Sequence, residues 1–253
     1  MTNRIWQIRF PLFTFLVLIC IWEMVDRVGL INTNLIPPPT KIWIAFQEWV
    51  LSGEFARDSY ASFGRVSIGL VLGVMTGVIL GLLTGRISVI DQIFSPVLNL
   101  ARAFPPVALL PVFITFFGIG NVSKITAIAF ASVFPVWINT HIGSKGVPIE
   151  YLNSARLMTR SKLRIFIRII FPAALPWIIA GIRLAIAVSF IMLYVAELAG
   201  ASSGLGYQIS SAHLSYRFDK MFAALFFLGF IAAASDISFN YLTKQVFPWL
   251  KCN

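Results

Sequence analysis

The chain has 253 residues, 58% hydrophobic and 12% charged, with 23 phenylalanines against 10 acidic residues and a mean hydropathy of +0.84. Soluble domains carry about twice that share of charge, which excludes a water-soluble globular protein and leaves an integral membrane protein. The formal charge of +10 does not point to nucleic acid, because the basic residues alternate with long apolar runs; it fits orientation by positive loops and contact with anionic lipid heads.

A membrane-crossing helix needs about 20 largely apolar residues. Such runs lie near 10–25, 61–84, 93–117, 124–142, 172–197 and 221–242, predicting an all-α, polytopic bundle of about six transmembrane helices in a single domain over 1–253. Arg4 and Arg9 precede the first run, but no small-residue cleavage site follows and Ile19 before Cys20 does not suit lipoprotein processing. That helix is therefore expected to be retained. Cys20 in this run and Cys252 at the C-terminal tip fall at different depths, so no disulfide is expected. Next, Pro37-Pro38-Pro39 opens a loop followed by a short amphipathic helix to Leu51, whose Trp43, Phe46 and Trp49 suit the membrane interface.

In the second run Gly69, Gly73, Gly77, Gly81 and Gly85 recur every fourth residue. In water such glycines weaken a helix by roughly 1 kcal/mol each relative to Ala. In lipid they make a groove along which another helix approaches closely, from this chain or a second copy. The third run holds Pro105, Pro106 and Pro111 after Arg102, so its helix must kink and free backbone carbonyls. Arg102, Pro105 and Pro106 are candidates for lining a path, against the plainer reading of a kink buried in the bundle. Gly118–Lys124 lacks phosphate-loop spacing and reads as an outer turn.

Between the fourth and fifth runs, Pro148 and Glu150 start a helix with an acid facing its dipole. Arg156, Arg160, Arg164 and Arg168 follow at intervals of four. This is either a basic amphipathic segment on lipid heads or a docking segment for a cytoplasmic partner. With Lys145 and Lys162, these arginines concentrate positive charge between 143 and 168, which favours cytoplasmic N- and C-termini. Arg183 in the fifth run and Arg102 are costly charges in lipid. Each either meets an anion in transit or pairs with Glu197, Asp236 or freed carbonyls. No metal-spaced Cys/His cluster, nucleophile elbow or acidic pair in an apolar run points to an enzyme.

Several of these segments resemble one family. Residues 153–176 (NSARLMTRSKLRIFIRIIFPAALP) look like the cytoplasmic loop of ABC importer permeases. Residues 35–43 (LIPPPTKIW), 101–124 and 196–209 (AELAGASSGLGYQI) are similar to its nitrate, sulfonate, taurine and bicarbonate branch. The resemblance covers roughly 35–245, with the motifs in the family's order. It implies a type I importer permease-like domain that works as a pair and performs no chemistry itself. ATP and Mg would be bound by cytoplasmic ATPase subunits, and solute delivered by an external substrate-binding protein. The coupling loop lies at about 145–168. Asn153, Ser154 and Ala155 match the family's Glu-Ala-Ala and Thr159 its glycine, so Asn153 and Thr159 depart from the pattern. Thr159 gives up glycine's backbone freedom, and ATPase docking is expected to lean more on Arg156 or Arg160, or on a co-adapted partner. Glu197, Gly200, Gly204 and Gly206 match a small-residue segment expected at an outer gate, with a plain connecting loop as the alternative. The solute implied is a small anion of the nitrate, sulfonate, taurine or bicarbonate type, or alternatively a vitamin precursor. A secondary transporter acting alone would need acids at midmembrane, where only Asp236 qualifies, or an internal repeat. A membrane-embedded enzyme would need a His- or Asp-rich cluster at one face.

Overall fold

The structure, a computed structural model, describes residues 2–29 and 32–251, with side chains described for 13, 14, 16–29 and 32–249. The side chains of Arg4 and Arg9, and the thiol of Cys252, lie outside those described; Cys20 is a free, exposed thiol. The described chain is helical and contains no strand.

The first run lies in α1 (Thr2–Arg27), which packs the edge of Trp22 on Phe222 and Phe226. The proline-led segment becomes α2 (Pro39–Leu51), entered with Pro39 in its first turn, where amides lack helical partners anyway. Trp43 sits exposed, as an interfacial ring would, but Trp49 does not: it is 1% exposed and its indole N–H donates to Asp58 at 3.3 Å. With Phe46, Phe55 and Phe227 it forms an edge-to-face aromatic cluster inside the bundle, so two of the three aromatics expected at the interface build the core instead.

The centre of the fold is three long helices, with α6 packed against both others: α3 (Glu54–Arg86), α6 (Asn121–Lys145) and α9 (Phe171–Leu198). Between α3 and α6 the third run does not cross as one rod. It splits into α4 (Ser88–Ala103), a 3₁₀ turn at Pro106–Leu109 and α5 (Leu110–Phe117), bent by 89°. Pro105, Pro106 and Pro111 lack amide donors in succession, so the expected kink widens into a right-angled break. After α6 come the short α7 (Ile149–Met158) and α8 (Lys162–Ile165), then one π turn at Phe166–Ile170 leading into α9. That wide turn sits just before Pro172, whose missing N–H leaves the Arg168 carbonyl without its usual helical donor. The chain ends with α10 (Leu205–Leu214) and α11 (Phe218–Val246).

By length and apolarity α3, α6, α8–α9 and α11 can each cross a membrane, and the bent α4–α5 pair adds a fifth, broken crossing. Their outward faces are apolar: Leu72, Met75 and Ile79 on α3 and Phe226 and Phe230 on α11 are all exposed, as suits a lipid solvent.

Candidate functional site

The glycine stripe fixes the frame on which everything else is mounted. A Cβ added at Gly69 would lie 2.7 Å from Ile128, at Gly73 2.6 Å from Ser132, at Gly77 2.8 Å from Val136 and at Gly81 2.5 Å from Thr140; at Gly85 it would overlap the Ser144 hydroxyl. The partner positions also recur every fourth residue, so two stripes run against each other along α3 and α6. The stripe is thus filled within the chain, and it is not the face that a second copy would use.

At one end of this pair lies the basic loop. Leu152 and Ala155 on α7 are buried, and Leu152 packs with Val147 and Ile170 in a small core of its own. Asn153, Ser154 and Arg156 are exposed, and Leu157 and Met158 stand out at 91% and 88% exposure. Glu150 lies in the first turn of α7, after Pro148. The helix ends at Thr159, whose φ of −154° and ψ of 139° are extended. Any residue adopts that conformation, so the threonine costs nothing where the family pattern has glycine, contrary to the expectation from sequence. The arginine series is divided by this break: Arg156 is on α7, Arg160 in the connection, Arg164 on α8 and Arg168 in the π turn. It is therefore not a single helical face. Nearby, Arg86 donates to the Ser144 carbonyl at 2.9 Å, and Lys145 pairs with Asp91 at 2.9 Å, tying the ends of α3, α4 and α6 together.

At the opposite end a buried ionic network joins α3, α6, α9 and α10. Arg65 donates to Glu197 at 2.6 Å, to the Ser203 carbonyl at 2.7 Å and to Asn121 at 2.8 Å. Glu197 is fully enclosed and Arg65 nearly so, at 0% and 8% side-chain exposure. Ser62 donates to the Glu197 carboxylate, and the amides of Gly204, Leu205 and Gly206 donate to Asp58, Ser62 and Glu197 in turn. Those amides belong to the start of α10, where a helix leaves its first donors unpaired and carries positive dipole charge. Two carboxylates and a hydroxyl from other helices therefore cap it. Gly204 has φ +131°, and a Cβ there would lie 2.5 Å from the Glu197 carboxyl; both conditions demand glycine. Gly200 makes the preceding turn with φ +80°, and Lys124 donates to its carbonyl at 3.4 Å. The expected gate residues Glu197, Gly200, Gly204 and Gly206 are thus together, but as a bonded junction. Arg65, Asp58 and Ser62 were missed by sequence reasoning. Their spacing of four and three on one helix face was the available signal.

The path candidates separate. Arg102 and Pro105 are exposed at the break after α4, Pro106 is half-buried, and α4 buries no residue against its own chain. Arg183 is not a free charge: it forms a two-pronged pair with Asp236 at 2.8 and 2.9 Å, joining α9 to α11. Outside the spans, Arg217 is pinned between Asp219 and Glu48, and the Asp219 hydrogen bond holds its guanidinium charged above its ordinary range. Among the described residues no group of three or more His, Cys, Asp or Glu side chains is placed to hold a metal.

The model of the family described as binding-protein-dependent transport system inner membrane component matches residues 73–251. A protein of Bacillus subtilis (strain 168) assigned as an aliphatic sulfonates transport permease is 34% identical over 92% of this chain and 84% of its own length. The taurine transport system permease protein of Escherichia coli (strain K12) is 29% identical, covering 96% of this chain and 90% of the relative. The bicarbonate transport system permease protein of Synechocystis is 27% identical, over 94% and 88%. Among solved structures, a chain of the inward-facing methionine ABC transporter superposes with a TM-score of 0.64 at 16% identity, covering 76% of this chain and 95% of that one. At that identity the likeness concerns the fold.

Proposed function

The chain belongs to the binding-protein-dependent inner-membrane components of ATP-driven importers, and from that premise we propose that it carries a small oxyanion inward through a path formed by two copies of itself. As a permease of this family it works with an ATPase and a substrate-binding protein. The relatives' solutes are sulfonates, taurine and bicarbonate, which share a compact anionic group.

The observation that carries the coupling role is the pair Leu157 and Met158. Two adjacent, almost fully exposed apolar side chains end a short helix whose other face, through Leu152 and Ala155, is locked to the bundle. Exposed apolar side chains beside a rigid mount suit insertion into a partner's cleft. Closure of the paired ATPases would push α7 and, through the Val147–Leu152–Ile170 contact, the base of α9. At the far end the bonded junction of α3, α9 and α10 would make these helices move as a unit, so that Gly200–Gly206 transmits motion to the outer opening. This reading places the α7–α8 end and both termini in the cytoplasm, as the charge excess of that end favours.

Purification of the tagged chain in mild detergent, with identification of what copurifies, tests it. A stoichiometric ATPase is expected, together with its loss or its uncoupling from uptake in Leu157→Asp/Met158→Asp. A chain that moves solute in liposomes without ATP, or a double variant with unchanged coupling, overturns the assignment of this helix.

A further inference from the structure

A cavity of about 960 Å³ lies between the end of α3 and the α7–α8 loop. Four of its lining side chains are cations: Arg86, Arg156, Arg160 and Lys162. No carboxylate lines it, and apart from the threonine hydroxyl at 159 the remaining wall is aliphatic and aromatic. Arg86 is fixed by its bond to the Ser144 carbonyl and feels the like charge of Arg156. Arg156, Arg160 and Lys162 have no hydrogen bond or ion pair to any other described residue. Concentrated, unneutralised positive charge over an apolar floor calls for a ligand with an anionic head and an apolar body.

The depth of the cavity in the membrane and its apolar exit select the ligand. A helix of 33 residues such as α3 is about 50 Å long, well beyond the roughly 30 Å hydrocarbon layer, so its last turn stands at headgroup level. From the cavity an exposed stripe of Leu83, Ile79, Met75, Leu72 and Ile68 climbs the same face of α3, rising about 22 Å toward the bilayer interior. We infer that this cavity binds one anionic phospholipid, its phosphate held by Arg86, Arg156, Arg160 and Lys162 and an acyl chain laid along the Ile68–Leu83 stripe. The inference requires only that the chain lies in a bilayer, so it stands or falls apart from the solute and the ATPase. It also divides the labour of α7, whose Leu157 and Met158 project outward while Arg156 faces the lipid site.

The test is native mass spectrometry of the purified full chain after exchange into micelles doped with phosphatidylglycerol or phosphatidylcholine. The expected result is one retained phosphatidylglycerol per chain in preference to phosphatidylcholine. Arg156→Gln/Arg160→Gln, two changes on an exposed loop, should weaken that retention on the order of 30-fold, from about 1 kcal/mol per basic group at a membrane surface. Ile79→Trp, which fills the cavity mouth and removes no charge, should lower retention as well. Equal retention of both lipids overturns the proposal, as does full retention in the charge variant. Loss in the charge variant with none in Ile79→Trp would reduce the site to diffuse surface attraction, and displacement by millimolar glycerol phosphate would make the ligand a soluble phosphate instead.

Discussion

Glu197 is the residue on which most of the buried junction converges: it accepts from Arg65, Ser62 and the Gly206 amide while fully enclosed. A buried ion pair contributes little net stability when formed, since desolvation offsets the attraction, but removing one partner strands the other charge and costs about 3–5 kcal/mol. Glu197→Gln keeps a hydrogen-bonding head of the same shape and should still destabilise the chain by that order, seen as a lowered midpoint of thermal unfolding in detergent. The double variant Arg65→Gln/Glu197→Gln should cost less than the two single changes added together, because no lone charge remains. A Glu197→Gln chain that unfolds at the wild-type temperature would show the pair to be solvated. Arg183 illustrates the opposite arrangement. Its pair with Asp236 is 54% and 34% exposed in the isolated chain, so of the two roles open from sequence, meeting an anion or pairing with a carboxylate such as Asp236, the structure has the pair.

At the scale of elements the stripe of glycines on α3 makes a sharper claim than its sequence pattern could. A side-chain carbon added at Gly77 would sit 2.8 Å from both the Val136 Cβ and the Val133 carbonyl oxygen, so any side chain must push α6 away. Overpacking of this kind costs typically 1–3 kcal/mol for small additions, and Gly77→Leu should exceed that, giving little folded protein by size-exclusion chromatography. Gly64 lies on the same helix with open space at its Cβ, and Gly64→Ala should be neutral or slightly stabilising. If both variants fold alike, the tight apposition of α3 and α6 is wrong. The groove itself was legible from a period of four; its partner was not, because Ile128, Ser132, Val136, Thr140 and Ser144 differ in size and polarity and carry no common signature. The break at Pro105–Pro106 was legible as a kink, since missing donors are a local fact. The 89° turn depends on how α5 packs beneath α6, which is not local. The placement of Trp49 failed for a related reason: an aromatic ring beside a proline-rich loop reads as interfacial until Asp58, on another helix, supplies a buried partner for its N–H.

The whole molecule has one well-packed side and one that is barely used. α3, α6 and α9 bury residues along their lengths, whereas α4 buries none and Phe104, Val107 and Phe116 around the break are all exposed. Five of the six expected spans, the basic loop and the small-residue segment were readable because each is a local pattern. The partner of the glycine stripe was not, because a period of four suits a helix of this chain and one of a second copy equally well, and the structure fills the stripe within one chain. A broken helix exposes backbone carbonyls, and in lipid these must be covered by protein or lie along water. A second copy facing α4–α5, as the proposed pairing of two copies requires, would satisfy both requirements at once, with the freed carbonyls and Arg102 turned to a shared aqueous path. Single cysteines placed at Phe104 or Val107, in a background lacking Cys20 and Cys252, should therefore be joined between copies by a short thiol cross-linker in native membranes. A cysteine at Phe230, on the exposed face of α11, should give no dimer under the same conditions. The yield at Phe104 or Val107 should also change when ATP is supplied to the complete transporter, since alternating access requires the two halves to move apart and together. Cross-linking at Phe230 with none at the break would place the dimer contact on α11 and leave α4–α5 facing lipid, where its open backbone would have no partner.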